Sequence, residues 1–317
     1  MASDIIPRVP LEELKQELTD DKRLRLTNRC DNIIYVVTWQ DSPHVVREIG
    51  RLREIAFRTA GGGTGQELDL DEFDTCEHPY RQLIVWDPRR EEILGGYRFR
   101  FGSETELDEE GQPRLATSHM FHFSPTFVRD YLPFTIELGR SFVVREYQQT
   151  RKDAKALFVL DNLWEGLGAL VASHPSCRYL LGKFTMYPQY DKSVRDLIFS
   201  FLKLYFPDGE QLVKAKEPIT MNLEVARVKG LFCGTDYRSD YKVLSAEVRR
   251  HGLTIPPLVN AYMNLSPTMK LFGTAINDLF GDVEETGMLI TVDEIWPEKR
   301  ARYIESFSTS NNLTTNI

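Results

Sequence analysis

The stretch Thr135-Ile136-Glu137-Leu138-Gly139-Arg140-Ser141-Phe142-Val143-Val144 reads as a strand interrupted by one charged pair and one glycine. Regular alternation sends Glu137, Gly139, Ser141 and Val143 to one face and Leu138, Arg140 and Phe142 to the other, so Glu137 and Arg140 point apart. A bulge at Gly139 brings them together. Glycine inside a strand marks a bulge or a close approach of another backbone or a ligand, and bulges gather beside active sites. Glu137 and Arg140 are therefore expected at the centre of a site.

The surrounding chain has 317 residues, 42% hydrophobic and 27% charged, enough to bury a sizeable core. No apolar run approaches the roughly 20 residues of a membrane helix, and the start, Met1 to Pro10, lacks the pattern of a signal peptide. Cys30, Cys76, Cys177 and Cys233 are widely spaced with no Cys-x-x-Cys pair. That spacing argues against a zinc site and for a reducing cytoplasm. A net charge of -8 speaks against general nucleic-acid binding, which selects a basic face. Two local basic clusters stand out, Arg47, Arg51, Arg53 and Arg58, then Arg140, Arg145, Arg151, Lys152 and Lys155. Each reads as a solvated helix face or as a docking surface for an acidic partner.

Along the chain, Leu11, Leu14 and Leu18 suggest a helical appendage within residues 1–30. A strand is expected from Asn32 to Trp39, and Ser42 is placed to cap a helix opening at Pro43, on which Arg53 and Phe57 project together. The glycine run Gly61-Gly62-Gly63-Thr64-Gly65 follows a helix and lacks the Gly-Lys-Ser/Thr of a P-loop, so it reads as a flexible, substrate-gated loop. Asp69, Asp71, Glu72 and Asp74 crowd six residues without the spacing of a calcium loop. A hairpin over Leu83–Asp87 and Ile93–Phe101 carries Arg98, which must face solvent at an edge or meet a carboxylate. His119 and His122, three apart in a strand, point to opposite faces and do not suggest a metal site.

Helical spacing marks Asp153–Val171, a strand runs from Cys177 to Tyr187, and Asp191 caps a helix from Lys192 to Phe206. A further helix ends at Gly252, Pro257 opens another, and a last strand spans Met288–Val292 before a terminal helix. The expected organisation is a core over residues 31–190, with residues 191–307 completing the same domain and 308–317 a disordered tail. The fold class expected is α/β (α+β), one mixed sheet flanked by helices.

Four motifs in order carry a family resemblance: Leu52-Arg53-x-x-x-Phe57, Asp71-x-x-Asp74, Gly96-Tyr97-Arg98 and Glu137-x-x-Arg140. This set resembles the acyl-carrier-protein-dependent branch of the GCN5-related N-acetyltransferase (GNAT) superfamily. That branch includes acyl-homoserine-lactone synthases and the hemolysin-like N-acyl amino acid synthases of ornithine-lipid and glycine-lipid synthesis. The second group is the nearer likeness, through Phe57-Arg58 and the glycine loop, Asp71-x-Phe73-Asp74 with His78, Glu137-Leu138-Gly139-Arg140-Ser141, and Pro256-Pro257-Leu258-x-x-x-Tyr262.

The resemblance implies a GNAT fold, mostly antiparallel, with a C-terminal extension and a bulged central strand that exposes backbone donors to an acyl thioester. Acetyl-CoA users carry a glycine-containing pyrophosphate loop where this chain has Gln148-Gln149-Thr150-Arg151-Lys152-Asp153-Ala154. The expected donor is therefore an acyl carrier protein thioester ahead of acyl-CoA, with no resident cofactor or metal. The acidic carrier would dock on Arg145, Arg151, Lys152 and Lys155.

In that setting Glu137, Arg140, Arg98 and the aspartates form either a purely structural ion-pair network or the reacting site. As a site, Glu137 is the expected general base, and Asp71 and Asp74 hold Arg98 or Arg140 in place and attract the substrate amine. Arg98 or Arg140 faces its carboxylate. Arg53 and Phe57 join the substrate site, and backbone amides near Ser141 and Phe142 form the oxyanion site. The expected product is a lipoamino acid carrying a long-chain, 3-hydroxyacyl group on the α-amine of glycine first, then ornithine or lysine. The alternatives are a homoserine-lactone synthase using S-adenosylmethionine and a non-catalytic acyl-chain or partner-binding protein. An amphiphilic product suits a cytoplasmic protein with peripheral contact to the inner membrane.

Overall fold

The computed structural model describes residues 2–148, 156–221 and 230–307. Helix α1 (Leu11–Glu17) leads to an edge strand β1 (Arg23–Leu26), then β2 (Ile33–Val37) and helix α2 (Pro43–Thr59). A one-turn helix α3 (Glu72–Thr75) precedes the hairpin β3 (Arg81–Asp87) and β4 (Glu92–Phe101). Short β5 (Phe121–Phe123) and long β6 (Thr135–Val143) follow, then helix α4 (Ala156–Ser173), β7 (Tyr179–Met186), helix α5 (Lys192–Tyr205) and short β8 (Val213–Ala215). The described chain continues with α6 (Tyr237–Arg250), α7 (Pro257–Met263), β9 (Lys270–Asn277) and β10 (Val283–Thr291).

Among the described residues, eight strands form one sheet in the order β1-β2-β3-β4-β6-β7-β10-β9. Every pairing is antiparallel except β6 with β7. The mixed, mostly antiparallel sheet flanked by helices agrees with the expected fold class. β1 and β9 have no counterpart in the sequence reading, and β10 is longer than expected. β1 is short and charged, Arg23-Leu24-Arg25-Leu26, so it carries little strand signal of its own and is recruited by pairing with β2.

The bulge in β6 is present, one residue later than Gly139. Arg98 faces Gly139 and Gly96 faces Phe142, so Arg140 and Ser141 together oppose the single residue Tyr97. Arg140 takes up the extra length with a left-handed φ of 48°, a conformation costly for a side-chain-bearing residue. Across the ladder Gly95 and Gly96 let the distorted strand approach. A Cβ on Gly95 would lie 2.6 Å from the Phe142 carbonyl oxygen, and one on Gly96 3.0 Å from the Phe142 ring.

A second irregularity opens the sheet. β6 and β7 pair only through Thr135–Glu137 and Tyr179–Leu181, while both strands run on for several residues beyond. Their divergence leaves a wedge between the bulge and the end of β7, next to β10, which stays paired with β7 throughout.

Two caps refine local expectations. Ser42 sits at the head of α2, but its hydroxyl bonds Asp41 and Lys22 instead of the helix. Glu17 at the end of α1 caps α2 from outside, accepting from the backbone amides of His44 at 3.1 Å and Val45 at 2.8 Å. Asp191 caps α5 as expected, through the amides of Ser193 and Val194. Expectations on Arg151, Lys152, Lys155, the start of α4 and the tail 308–317 fall outside the described residues.

Candidate active site

A stripe of buried polar side chains crosses one face of the sheet. Gln82 on β3 pairs with Arg98 on β4, which in turn faces Gly139 on β6. Glu137 shares that face two residues earlier. Helix α2 covers part of it and inserts Arg53, whose guanidinium lies 3.3 Å from both Asp74 oxygens and donates at 2.5 Å to Gln82.

The acidic segment folds against these cations. Asp71 caps α3 by accepting from the Phe73 amide, and Asp74 reciprocates by accepting from the Asp71 amide at 3.2 Å, a complete capping box. Arg98 donates to Asp71 at 2.7 Å and to Asp74 at 3.1 Å. Arg140, turned by the bulge toward the same face, lies 3.1 Å from Asp69 and 3.6 Å from Asp71. The alternative that left Arg98 at a solvent edge is thereby settled in favour of pairing. Burial drives the Asp74 carboxyl up, but Arg53 and Arg98 outweigh it and hold the group well below the usual carboxylate range.

Glu137, expected as the general base, is 2% exposed and its oxygens are taken. One accepts from the Tyr80 hydroxyl; the other accepts from the Thr117 amide at 2.9 Å and its hydroxyl at 2.6 Å. Arg98 in turn lies over the Tyr80 ring, 5.3 Å from its centroid. Glu137 and Arg140 thus share a face, as the bulge argument requires, yet they belong to different hydrogen-bonded groups.

The wedge between β6 and β7 opens into a cavity of about 590 Å³. Arg140, Ser141 and Phe142 line it from the bulge, as does Phe57 from α2; Phe57 packs edge-on to Phe280 with centroids 5.0 Å apart. None of Glu137, Arg53, Arg98, Asp71 and Asp74 reaches its wall. Arg53 is wholly buried, and Asp71 and Asp74 pair with the arginines, as expected of carboxylates that hold Arg98 and Arg140 in place.

The cavity is instead completed by residues that the motifs did not contain. Lys183 and Thr185 on β7, Tyr187 just beyond it, and Glu285 on β10 line it together. Lys183 donates to Glu285, which also accepts from Asn277 at 3.0 Å and from the Thr185 hydroxyl at 3.2 Å. Burial drags the Lys183 ammonium below its usual value against the pull of Glu285; burial pushes the Glu285 carboxyl up, but Lys183 outweighs it and the net direction is down. The Tyr187 phenol is pushed up to about 12 by burial, with the charge of Glu285 adding to it. A signal for this group was present: a lysine in Tyr179-Leu180-Leu181-Gly182-Lys183-Phe184 is as anomalous in a strand as Arg98.

Apolar side chains also line the cavity: Leu160, Val259, Leu258 and Leu253, from α4, α7 and the turn before it. Tyr187 and Tyr190 both line it. The Pro256-Pro257-Leu258 element thus belongs to the cavity wall, with Pro257 at the first turn of α7 as expected.

The glycine run is not loose. The buried Glu54 carboxylate accepts from the amides of Thr64 at 3.0 Å and Gly65 at 2.9 Å and from the Thr64 hydroxyl, and Arg58 braces Glu54 at 2.9 Å. Gly62 lies against Tyr187, Val283 and Phe280, where a Cβ would meet side chains at 3.1 Å. Of the expected docking cations, Arg145 is exposed in the turn after β6. His119 lies 2.8 Å from Asp278, and His122 is exposed on β5. No described helix is long and apolar enough to cross a membrane.

Residues 52–157 match the family model of the acetyltransferase (GNAT) domain. A glycine N(alpha)-acyltransferase of Bacteroides thetaiotaomicron is 59% identical over 97% of this chain and 91% of its own length. One of the same description from Phocaeicola vulgatus is 57% identical over 96% of this chain and 93% of its own. Among solved structures, a CoA-dependent acyl-homoserine lactone synthase with SAM and isopentyl-CoA matches 49% of this chain and 67% of its own at 15% identity, with a TM-score of 0.28. With more than half its residues shared with two such enzymes over nearly its full length, the chain belongs to their family and is a GNAT acyltransferase.

Proposed function

We propose that the protein transfers a long-chain acyl group, 3-hydroxylated, from the phosphopantetheine thioester of an acyl carrier protein to the α-amine of glycine, and so makes a lipoamino acid. The observation that carries this reading is the polarity of the cavity. Its lining combines Arg140, Lys183 and Glu285, groups suited to a small zwitterion, with apolar side chains such as Leu160, Leu253, Leu258 and Val259, suited to an acyl chain. The relatives' description supports glycine as the acceptor.

In the reaction the amine attacks the thioester carbonyl, the C–N bond forms and the C–S bond breaks. The glycinium ion loses two protons, one of which ends on the departing thiol and the other in solvent. The bulge at Arg140 and Ser141 takes residues out of the β4–β6 ladder beside the cavity, leaving backbone donors for the oxyanion. Tyr187, neutral throughout the physiological range, is placed to protonate the thiolate. Carrier docking falls to the exposed Arg145 and to the basic residues that follow it in sequence, Arg151, Lys152 and Lys155.

The test is thiol release from long-chain 3-hydroxyacyl carrier protein with a panel of amino acids and S-adenosylmethionine, with products identified by mass spectrometry. Glycine-dependent release with N-acylglycine as product is expected. Release that requires S-adenosylmethionine, or binding without release, overturns the reading.

A further inference from the structure

We infer that Lys183 and Arg140 form the acceptor's carboxylate-binding site, with Glu285 holding Lys183 in place, so that the enzyme selects amino acids over simple amines. The inference rests on the reading of the protein as an amino-acid N-acyltransferase and adds the residues that recognise the acceptor.

Three observations converge on it. Among the described residues, the charged side chains that line the cavity are Arg140, Lys183 and Glu285, two cations against one carboxylate. The acceptor in its nucleophilic form, with the amine neutral and the carboxylate ionised, carries one negative charge, which this excess of one positive charge matches. Further, the other carboxylates near Arg140 are withdrawn from the cavity: Asp69 and Asp71 hold Arg140 from behind, and Asp71 and Asp74 are also engaged by Arg98. The guanidinium carbon also lies over the Phe280 ring, 4.2 Å from its centroid, a cation–π contact that restrains it.

The third observation is the anchoring of Lys183. Its side chain is 9% exposed in the middle of β7, and its partner Glu285 is itself fixed by Asn277 and Thr185. An ammonium has three donors, and a single carboxylate contact leaves others to point into the cavity. A buried lysine–glutamate pair is weak as a source of stability, since apolar residues of the same volume do as well. Lys183 lines the cavity together with Arg140, which gives it a binding task. In this arrangement a second carboxylate entering the cavity completes a cation–anion alternation from Asp71 through Arg140, the substrate, Lys183 and Glu285.

The experiment compares glycine with glycinamide, which has the same amine and size but no carboxylate, using the full-length enzyme and long-chain acyl carrier protein. Wild type is expected to prefer glycine. In Lys183→Met the KM for glycine should rise by about 10- to 100-fold, the range of a lost charge-assisted hydrogen bond, while glycinamide turnover stays within about twofold. Lys183→Gln, which keeps a hydrogen bond to Glu285, should lose glycine preference equally and guards against a folding defect in the first variant. Parallel losses for both acceptors, or an unchanged preference, overturn the inference. If wild type proves to use a different amino acid, the glycine reading fails, and the same comparison with that amino acid and its amide still decides the role of Lys183.

Discussion

Arg98 and Arg140, on neighbouring strands, close on one carboxylate, Asp71, from 2.7 Å and 3.6 Å. Arg140 reaches it because the bulge turns that residue onto the face that Arg98 already occupies. The strain of a left-handed arginine is therefore offset at an ion-pair network, and the same residue lines the cavity.

Asp71 is 31% exposed, the least buried member of that network, and also caps α3. Asp71→Ala should cost about 0.5–2 kcal/mol through the lost cap, with a further loss of kcat/KM as Arg140 becomes free to swing. Denaturant unfolding and steady-state kinetics on the same preparation check both parts. Asp71→Asn should restore most of the stability and little of the activity.

Asp74 governs the response to acid. Because its folded pKa lies below that of the unfolded chain, its contribution is complete above the unfolded value of about 4 and is lost as pH falls through the folded one. Unfolding free energy should therefore start to fall below about pH 4. Asp74→Asn leaves Arg53 and Arg98 short of a charge, so it should lose about 3–5 kcal/mol at neutral pH and show a shallower acid slope. Urea melts across pH 2.5 to 7, roughly the window in which carboxylates titrate, measure both.

Glu137→Gln distinguishes a structural carboxylate from a base. One amide oxygen cannot accept from Tyr80 and Thr117 together, and the new amide nitrogen meets donors, so a stability loss of about 1–3 kcal/mol is expected. At a temperature where the variant is folded, kcat should stay within a few-fold of wild type. A folded, stable variant slowed by about 100-fold would instead make Glu137 the base.

Tyr187→Phe should lower kcat by about 100-fold with little change in glycine KM, as fits loss of the proton donor to the thiolate. With its pKa near 12, the wild-type phenol should impose no alkaline limb on kcat below that pH. The raised folded value also means that its contribution to stability is complete below the unfolded pKa of about 10 and is lost as pH rises toward 12. Rate–pH profiles and alkaline unfolding of the two proteins test these separately.

The sequence by itself determined the local devices. A glycine beside a charge in a strand announced the bulge, an arginine in an apolar strand had to find a solvent edge or a carboxylate, and Asp191 announced a helix start, because each follows from a cost paid within a few residues. Ser141 and Phe142, next to that glycine, and Phe57, through the motif it shares with Arg53, were also named from the chain, and all three line the cavity. What only the tertiary structure decided was which charges are spent on each other. Glu137 is saturated by Tyr80 and Thr117, and Lys183 meets Glu285 across 102 residues of sequence. Burial and pairing are properties of what the sheet brings alongside, so the chain could single out Glu137 but not the groups that fill its two oxygens.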